Sequence, residues 1–220
     1  GGRIRGNARW SARSSSPKIV TRARSGSGCS RAVCTSTHRA QYRLPPVECE
    51  ELEKYRARMA ARSLTLVFSS YYVNNPASAF GHTFLRFNKE PGKRGERHEL
   101  LDYGVDYAGV VDTNNALIYG FKGLTGLFPG RFNHYPYFYK VREYNEYESR
   151  DLWEYELALT PEQLALLIDH LWEVGGTYFD YYYLSENCSY QLLAVIEAAA
   201  PHLELVEQQR GYVLPSETVK

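Results

Sequence analysis

Hydrophobic and polar positions change period several times along the chain, and each change marks an element. "CEELEKYRARMAARS" carries acidic residues early and basic residues late, which suits a helix macrodipole and predicts a helix. "LTLVFSSYYV", rich in β-branched and aromatic residues, predicts a strand; "NNPAS" predicts a turn, and "FGHTFLRFN" alternates as a second strand would. After the charged hairpin loop "KEPGKRGER", "HELLDYGVDY" is the expected partner strand. "YGFKGLTGLFPGRF" reads as a Gly-rich connector, and "PYFYKVREY" and "RDLWEYELAL" read as two more strands. "TPEQLALLIDHLWEVG" predicts a helix capped by Thr160, with Pro161 at its first position and Gly175 at its end. In "SENCSYQLLAVIEAA", Leu192, Leu193, Val195 and Ile196 mark the apolar face of a last helix, with Ser185 or Asn187 as its N-cap. The order predicts an α+β domain with an antiparallel sheet packed against helices.

Composition narrows the class. With 220 residues, 44% of them hydrophobic, the chain can bury one core, or one core plus an arm. No apolar run reaches the roughly 18 residues of a membrane span. The chain starts without Met and stops without an evident terminus, so it reads as a fragment of a longer protein, and missing targeting signals say nothing about compartment. The net charge of +1 hides an asymmetry: residues 1–47 hold ten of the 26 Lys and Arg and none of the 25 Asp and Glu. Residues 1–38 are therefore expected to be a disordered Ser/Arg-rich arm, and residues 39–220 the single folded domain. Trp10 is the arm's one aromatic residue, too little interleaving with its charge for base stacking, so a nucleic-acid partner is not expected. The 19 tyrosines, clustered as in "HYPYFYK" and "YFDYYYL", suit a groove for a partly apolar ligand as well as plain packing. Cys29, Cys34 and His38 lack the second ligand pair of a metal site, and neither metal nor cofactor is expected.

The chemistry centres on Cys188. It precedes the apolar run instead of lying inside it, in or near the first helical turn, where the dipole and unpaired N–H groups favour a thiolate. A thiol nucleophile needs a base. Of six histidines, His38 lies in the arm, His98 beside a charged loop, His134 in a Gly/Pro-rich loop, His170 among polar helix positions and His202 after the last helix. His82 differs, because it stands between a glycine and an apolar run at the start of a strand. The expected chemistry is attack of the Cys188 thiolate on an acyl carbonyl, with His82 as base. The backbone N–H of Cys188 or a neighbour, together with the Asn187 side chain, would hold the oxyanion.

"GHTFLRF" followed at a distance by "ENCSYQLL" resembles the circularly permuted papain-like group related to the NlpC-type peptidases. More narrowly, "FSSYYVNNPASAFGHTFLRF", "KGLTGLFPGRF", "REYNEYESRDLWEYELALT" and "YFDYYYLSENCSYQLL", spanning about Leu64 to Pro215, resemble the N-terminal periplasmic domain family of the bacterial lipoprotein N-acyltransferase Lnb. The resemblance implies a Cys188–His82 pair, an acyl donor among phospholipids and an acceptor lipoprotein. It also implies a membrane-surface location on the periplasmic face of the inner membrane. Asp102 or Asp106, in the strand after the histidine, would orient the imidazole; the family's pattern has Asn where Asp106 stands, and Asp does the same work with added stabilisation of imidazolium. In the same blocks Asn187, Tyr183, Asn75 and Arg86 are candidates for holding the oxyanion or the substrate. An exported protein would join Cys34 to Cys49, with Cys29 a competitor for either. The rival readings are an NlpC-type peptidase or amidase acting on cell-wall peptides, a lipid hydrolase, and a binding module with no dependence on Cys188.

Overall fold

A computed structural model of the chain describes residues 49–72, 79–91, 99–143, 150–209 and 211–219. Among them, six strands form one antiparallel sheet: β1 (Ala61–Ser69), β2 (His82–Lys89), β3 (Tyr103–Gly109), β4 (Phe128–Pro136), β5 (Leu152–Leu157) and β6 (Phe179–Tyr181), in the order β5-β1-β2-β3-β4-β6. Five helices accompany it: α1 (Glu50–Met59), α2 (Ala116–Thr125), α3 (Tyr137–Val141), α4 (Pro161–Val174) and α5 (Cys188–Ala199). The architecture is α+β, as the sequence predicts.

Register sorts the side chains into two faces, because neighbouring residues of a strand point to opposite sides. Leu66 pairs with Leu85, Leu85 with Val105 and Tyr107 with Phe132, and all are buried on one face beneath α1, α4 and α5. Each helix turns an apolar stripe to that face, Leu164, Leu167, Ile168 and Leu171 from α4 and Leu192, Val195 and Ile196 from α5. The opposite face carries Phe84, Asp106 and Asn133 in one row, and Thr65, Arg86 and Gly104 in the next. Polar groups dominate it, around a small cluster of Val67, Phe84 and Tyr137.

Several local expectations need correction. The Gly-rich connector is α2 followed by β4: Asn115 caps α2 by accepting the N–H groups of Leu117 and Ile118, and Gly126, at φ 73°, ends it. A Cβ on Gly123 would lie 2.1 Å from the Tyr183 ring, so this glycine serves helix packing, not flexibility. "PYFYKVREY" opens as α3 where a strand was expected, since β4 already ends at Pro136. β2 shows no inside–outside alternation. It is central and covered on both faces, and seven of its eight residues are buried. β3 begins only at Tyr103, after a 3₁₀ turn at Glu99–Leu101, so Asp102 precedes the strand. His134 lies within β4, not in a loop. The arm, all of "NNPAS", and most of the charged hairpin loop lie outside the described residues.

Candidate active site

Asn187 stands at the N-cap of α5, its Oδ1 accepting the backbone N–H groups of Ser189 and Tyr190. Its Nδ2 donates to the carbonyls of Tyr183 and Val213. Both ends of the amide are therefore committed to shaping the turn that delivers Cys188, and the side chain is not placed to serve an oxyanion. Cys188 is the first residue of the helix and 2% exposed.

His82 is the first residue of β2 and follows Gly81, whose φ of 85° and a Cβ position 2.9 Å from the Ser69 carbonyl oxygen both demand glycine. Ser69, its cross-strand partner, donates its hydroxyl to the His82 carbonyl at 3.2 Å. Arg150 ties down the same strand end by donating Nε to the Ser70 carbonyl at 2.6 Å. The imidazole thus hangs from a rigid corner.

Asp106 pairs with Asn133 in register and lies on the same face as His82. Its Oδ2 is 3.6 Å from His82 Nε2 and 3.3 Å from Lys140 Nζ, and its Oδ1 accepts from Asn133 Nδ2 at 2.8 Å. Burial alone would raise this carboxyl's pKa. The hydrogen bond and charge of His82, the Lys140 ammonium and the Asn133 amide outweigh it and hold the group well below the usual carboxylate range.

Burial likewise pushes the Cys188 thiol up, yet the charge and hydrogen bond of His82 and hydrogen bonds from Thr83 bring its pKa down to about 7. The Thr83 hydroxyl donates toward Cys188 Sγ at 3.7 Å and sits 2.6 Å from the Ser189 hydroxyl. With Thr83 donating to sulfur, Ser189 donates to Thr83, a relay that favours a thiolate. The Cys188 backbone N–H meets the hydroxyl of Tyr181, a ring 6% exposed whose own ionisation burial pushes far up.

Of the sequence candidates, the structure brings Cys188, His82 and Asp106 to one end of the sheet. Asp102 is held elsewhere: its Oδ1 accepts the Lys89 N–H at 2.9 Å and its Oδ2 lies 3.7 Å from Arg86 Nε. Arg86 bonds Asn88 at 2.8 Å and Glu154 at 2.6 Å and stacks 5.0 Å from the Tyr137 ring, so it braces the polar face. Tyr183 packs its ring between Tyr119 and Tyr181. Asn75 and Cys34 lie outside the described residues, whereas Cys49 is disulfide-bonded and Cys188 is a free thiol. Sequence reasoning missed Thr83, Ser189, Tyr181, Asn133 and Lys140. For Thr83 and Ser189 a signal existed, since each follows a candidate by one residue at the start of its element.

A free thiol at a helix start, an imidazole and a carboxylate, gathered at one end of an antiparallel sheet backed by helices, define an α+β protein compatible with a papain-like architecture. Residues 51–220 match the family described as the Lnb N-terminal periplasmic domain, and the chain belongs to that family. The family is associated with lipoprotein N-acylation by Lnb and with the periplasm. No curated protein and no solved structure matches the chain. Among the described residues no helix is long and apolar enough to cross a membrane.

Proposed function

We propose that residues 39–220 form a single thiol acyltransferase domain acting at the outer face of the inner membrane. His82 takes the Cys188 proton through the nitrogen left when Nε2 turns to Asp106. The thiolate adds to an acyl ester carbonyl of a phospholipid, and the tetrahedral intermediate collapses to a Cys188 thioester as His82 returns the proton to the departing lysophospholipid. The neutral α-amine of a diacylglyceryl-cysteine lipoprotein then attacks the thioester, His82 removes a proton from it, and the amide leaves with the thiolate restored. The Tyr181 hydroxyl, whose oxygen takes the Cys188 N–H and whose proton is left to give, is the donor for the oxyanion in both steps. Asp106 fixes the ring and stabilises its imidazolium without reacting.

The observation that carries this reading is the placement of a free Cys188 thiol, 2% exposed at the first residue of a helix, against His82, whose Nε2 lies 3.6 Å from Asp106. His82 and Thr83 bring the thiol's pKa down to about 7 against its burial. A cysteine used only for packing in such a place would be raised. Mass spectrometry of the protein after incubation with phospholipid tests it. The expected result is one acyl adduct on Cys188, discharged by a diacylated lipopeptide to give its triacylated form and an equal amount of lysophospholipid. Free fatty acid without amide would assign a hydrolase, and cleaved muropeptides a peptidase.

A further inference from the structure

Most helices on a sheet turn their large aliphatic side chains inward, and α2 does the reverse. Its inner side is made of Tyr119, whose ring meets Phe128 and Tyr183, and of Gly123, against which the Tyr183 ring lies. Its outer side is a ridge of Leu117, Phe121 and Leu124, which are 85%, 63% and 60% exposed. The i, i+4, i+7 spacing puts the three on one stripe. The helix's one basic residue in that stretch, Lys122, is spent on Asp112 at 2.7 Å, so the ridge offers hydrocarbon without net charge.

The ridge belongs to a larger pattern. His82 pairs with Ser69 at the last position of β1, while Gly109, the last residue of β3, pairs with Gly130 near the start of β4. Val110 just after β3, Leu127 just before β4 and Phe80 just before β2 therefore stand at the sheet end that carries His82 and Cys188, and all three are about half exposed. Tyr183, which supports Cys188 through Asn187, is the residue against which α2 packs. Exposed apolar side chains thus form a collar continuous with the candidate site. A monomer exposes so contiguous an apolar patch when something apolar covers it.

We propose that this collar, with the α2 ridge at its centre, is a bilayer-docking surface that seats the mouth of the Cys188 site in the headgroup–acyl boundary of a membrane. The inference rests on the proposed acyl transfer, since it names the phase from which that site draws its acyl donor. A protein partner or a second copy would need about 20–30 residues a side with complementary shape. The collar offers a few side chains on a convex ridge and on separate strand ends, which suits a fluid surface that needs no complementary shape.

Co-sedimentation of the 220-residue chain with vesicles of phosphatidylglycerol and phosphatidylethanolamine tests the proposal. Each large apolar side chain withdrawn from lipid weakens partitioning by roughly tenfold. The wild type is expected to bind, and the combined Leu117→Gln, Phe121→Gln and Leu124→Gln variant to bind at least about a hundredfold more weakly. Leu100→Gln with Leu101→Gln, exposed leucines before β3 at the other end of the sheet, is expected to bind like the wild type. The rate of Cys188 alkylation by iodoacetamide without vesicles is expected to be the same in all three, which shows an intact site. No binding by the wild type, an equal loss at both ends, or a dimer dissolved by the α2 variant would overturn the docking surface. Retained docking without an acyl adduct on Cys188 would support the surface and sink the acyl-transfer chemistry alone.

Discussion

His82 and His134 lie in the same sheet, on strands with β3 between them, and face opposite sides of it. His82 begins β2 on the polar face, with Asp106 at 3.6 Å and Cys188 as its other neighbour. His134 sits in β4 opposite Val105, on the apolar face, with the Tyr55 ring edge-on at 5.4 Å and a buried Nε2 that meets no hydrogen-bond partner. Burial pushes its pKa down to about 4, against the upward pull of Asp106 and with a small further push from Arg58. One residue along β4 decides the difference, for Asn133 bonds Asp106 while His134 points away from it. An imidazole buried against hydrocarbon is held neutral. One buried between a carboxylate and a thiol has somewhere to send a proton and something to stabilise its charge.

The largest test of this contrast is activity. Cys188→Ser and His82→Ala are expected to lower formation of the triacylated lipopeptide by at least about a thousandfold, because they remove the nucleophile's thiolate and its base. His134→Leu should leave the rate within about threefold; a collapse of the rate in that variant at full folding would erase the distinction. Next in size comes the carboxylate. Asp106→Ala is expected to cost about 10–1000-fold, and Asp102→Ala less than about threefold, since Asp102 bonds the Lys89 backbone and not the imidazole.

Stability sharpens the comparison from the other side. The unfolded His134 titrates near its ordinary 6.5 and the folded one near 4, so between those values the unfolded state binds more protons and stability rises with pH. The stability of the protein should fall as pH drops from about 6.5 to about 4, by at most roughly 3 kcal/mol from this residue. Denaturant titrations should show that slope reduced in His134→Leu. Asp106 adds a separate loss at lower pH, because its depressed carboxyl stabilises the fold above the ordinary carboxylate range and ceases to as pH falls below it.

Thiol titration gives smaller shifts. The pH dependence of Cys188 alkylation should have its midpoint at about 7, and His82→Ala should move it up toward the ordinary thiol range. Lys140→Met is expected to move it down by less than about one unit. Lys140 shares Asp106 Oδ2 with His82, so removing its ammonium leaves more of the carboxylate's field for the imidazolium, which in turn favours the thiolate. An absent shift would leave Lys140 as structural support, and an upward one would show its ammonium stabilising the thiolate directly.

Much of the site was legible because its parts mark element boundaries. Gly81 before His82 and Asn187 before Cys188 are local signals, a positive-φ turn and an N-cap, and both lie where such residues were expected to act. The choice between Asp102 and Asp106 was not legible. Spacing by four puts both on one face of an ideal strand, but β3 starts after Asp102, and a turn at Glu99–Leu101 sends that carboxylate to Lys89 and Arg86. The connector was misread for a related reason. Gly120, Gly123 and Gly126 look like flexibility in one dimension, whereas Gly123 is a contact point for Tyr183 from a segment far along the chain.

The sequence by itself determined the two ends of the proposed chemistry, a cysteine at a helix start and a histidine at a strand start, together with the α+β class and the well-capped helix α4. These depend on residues within one or two turns of each other, where caps, dipoles and periodicity act. The tertiary structure decided which carboxylate reaches the imidazole, that the Asn187 amide is consumed in capping, and that Lys140, Thr83 and Tyr181 complete the surroundings of His82 and Cys188. It also decided that α2 turns its leucines outward. These are matters of register and packing between segments up to about a hundred residues apart. No local preference specifies them, because burial and charge pairing are set only when the strands align and one face of the sheet is closed by helices.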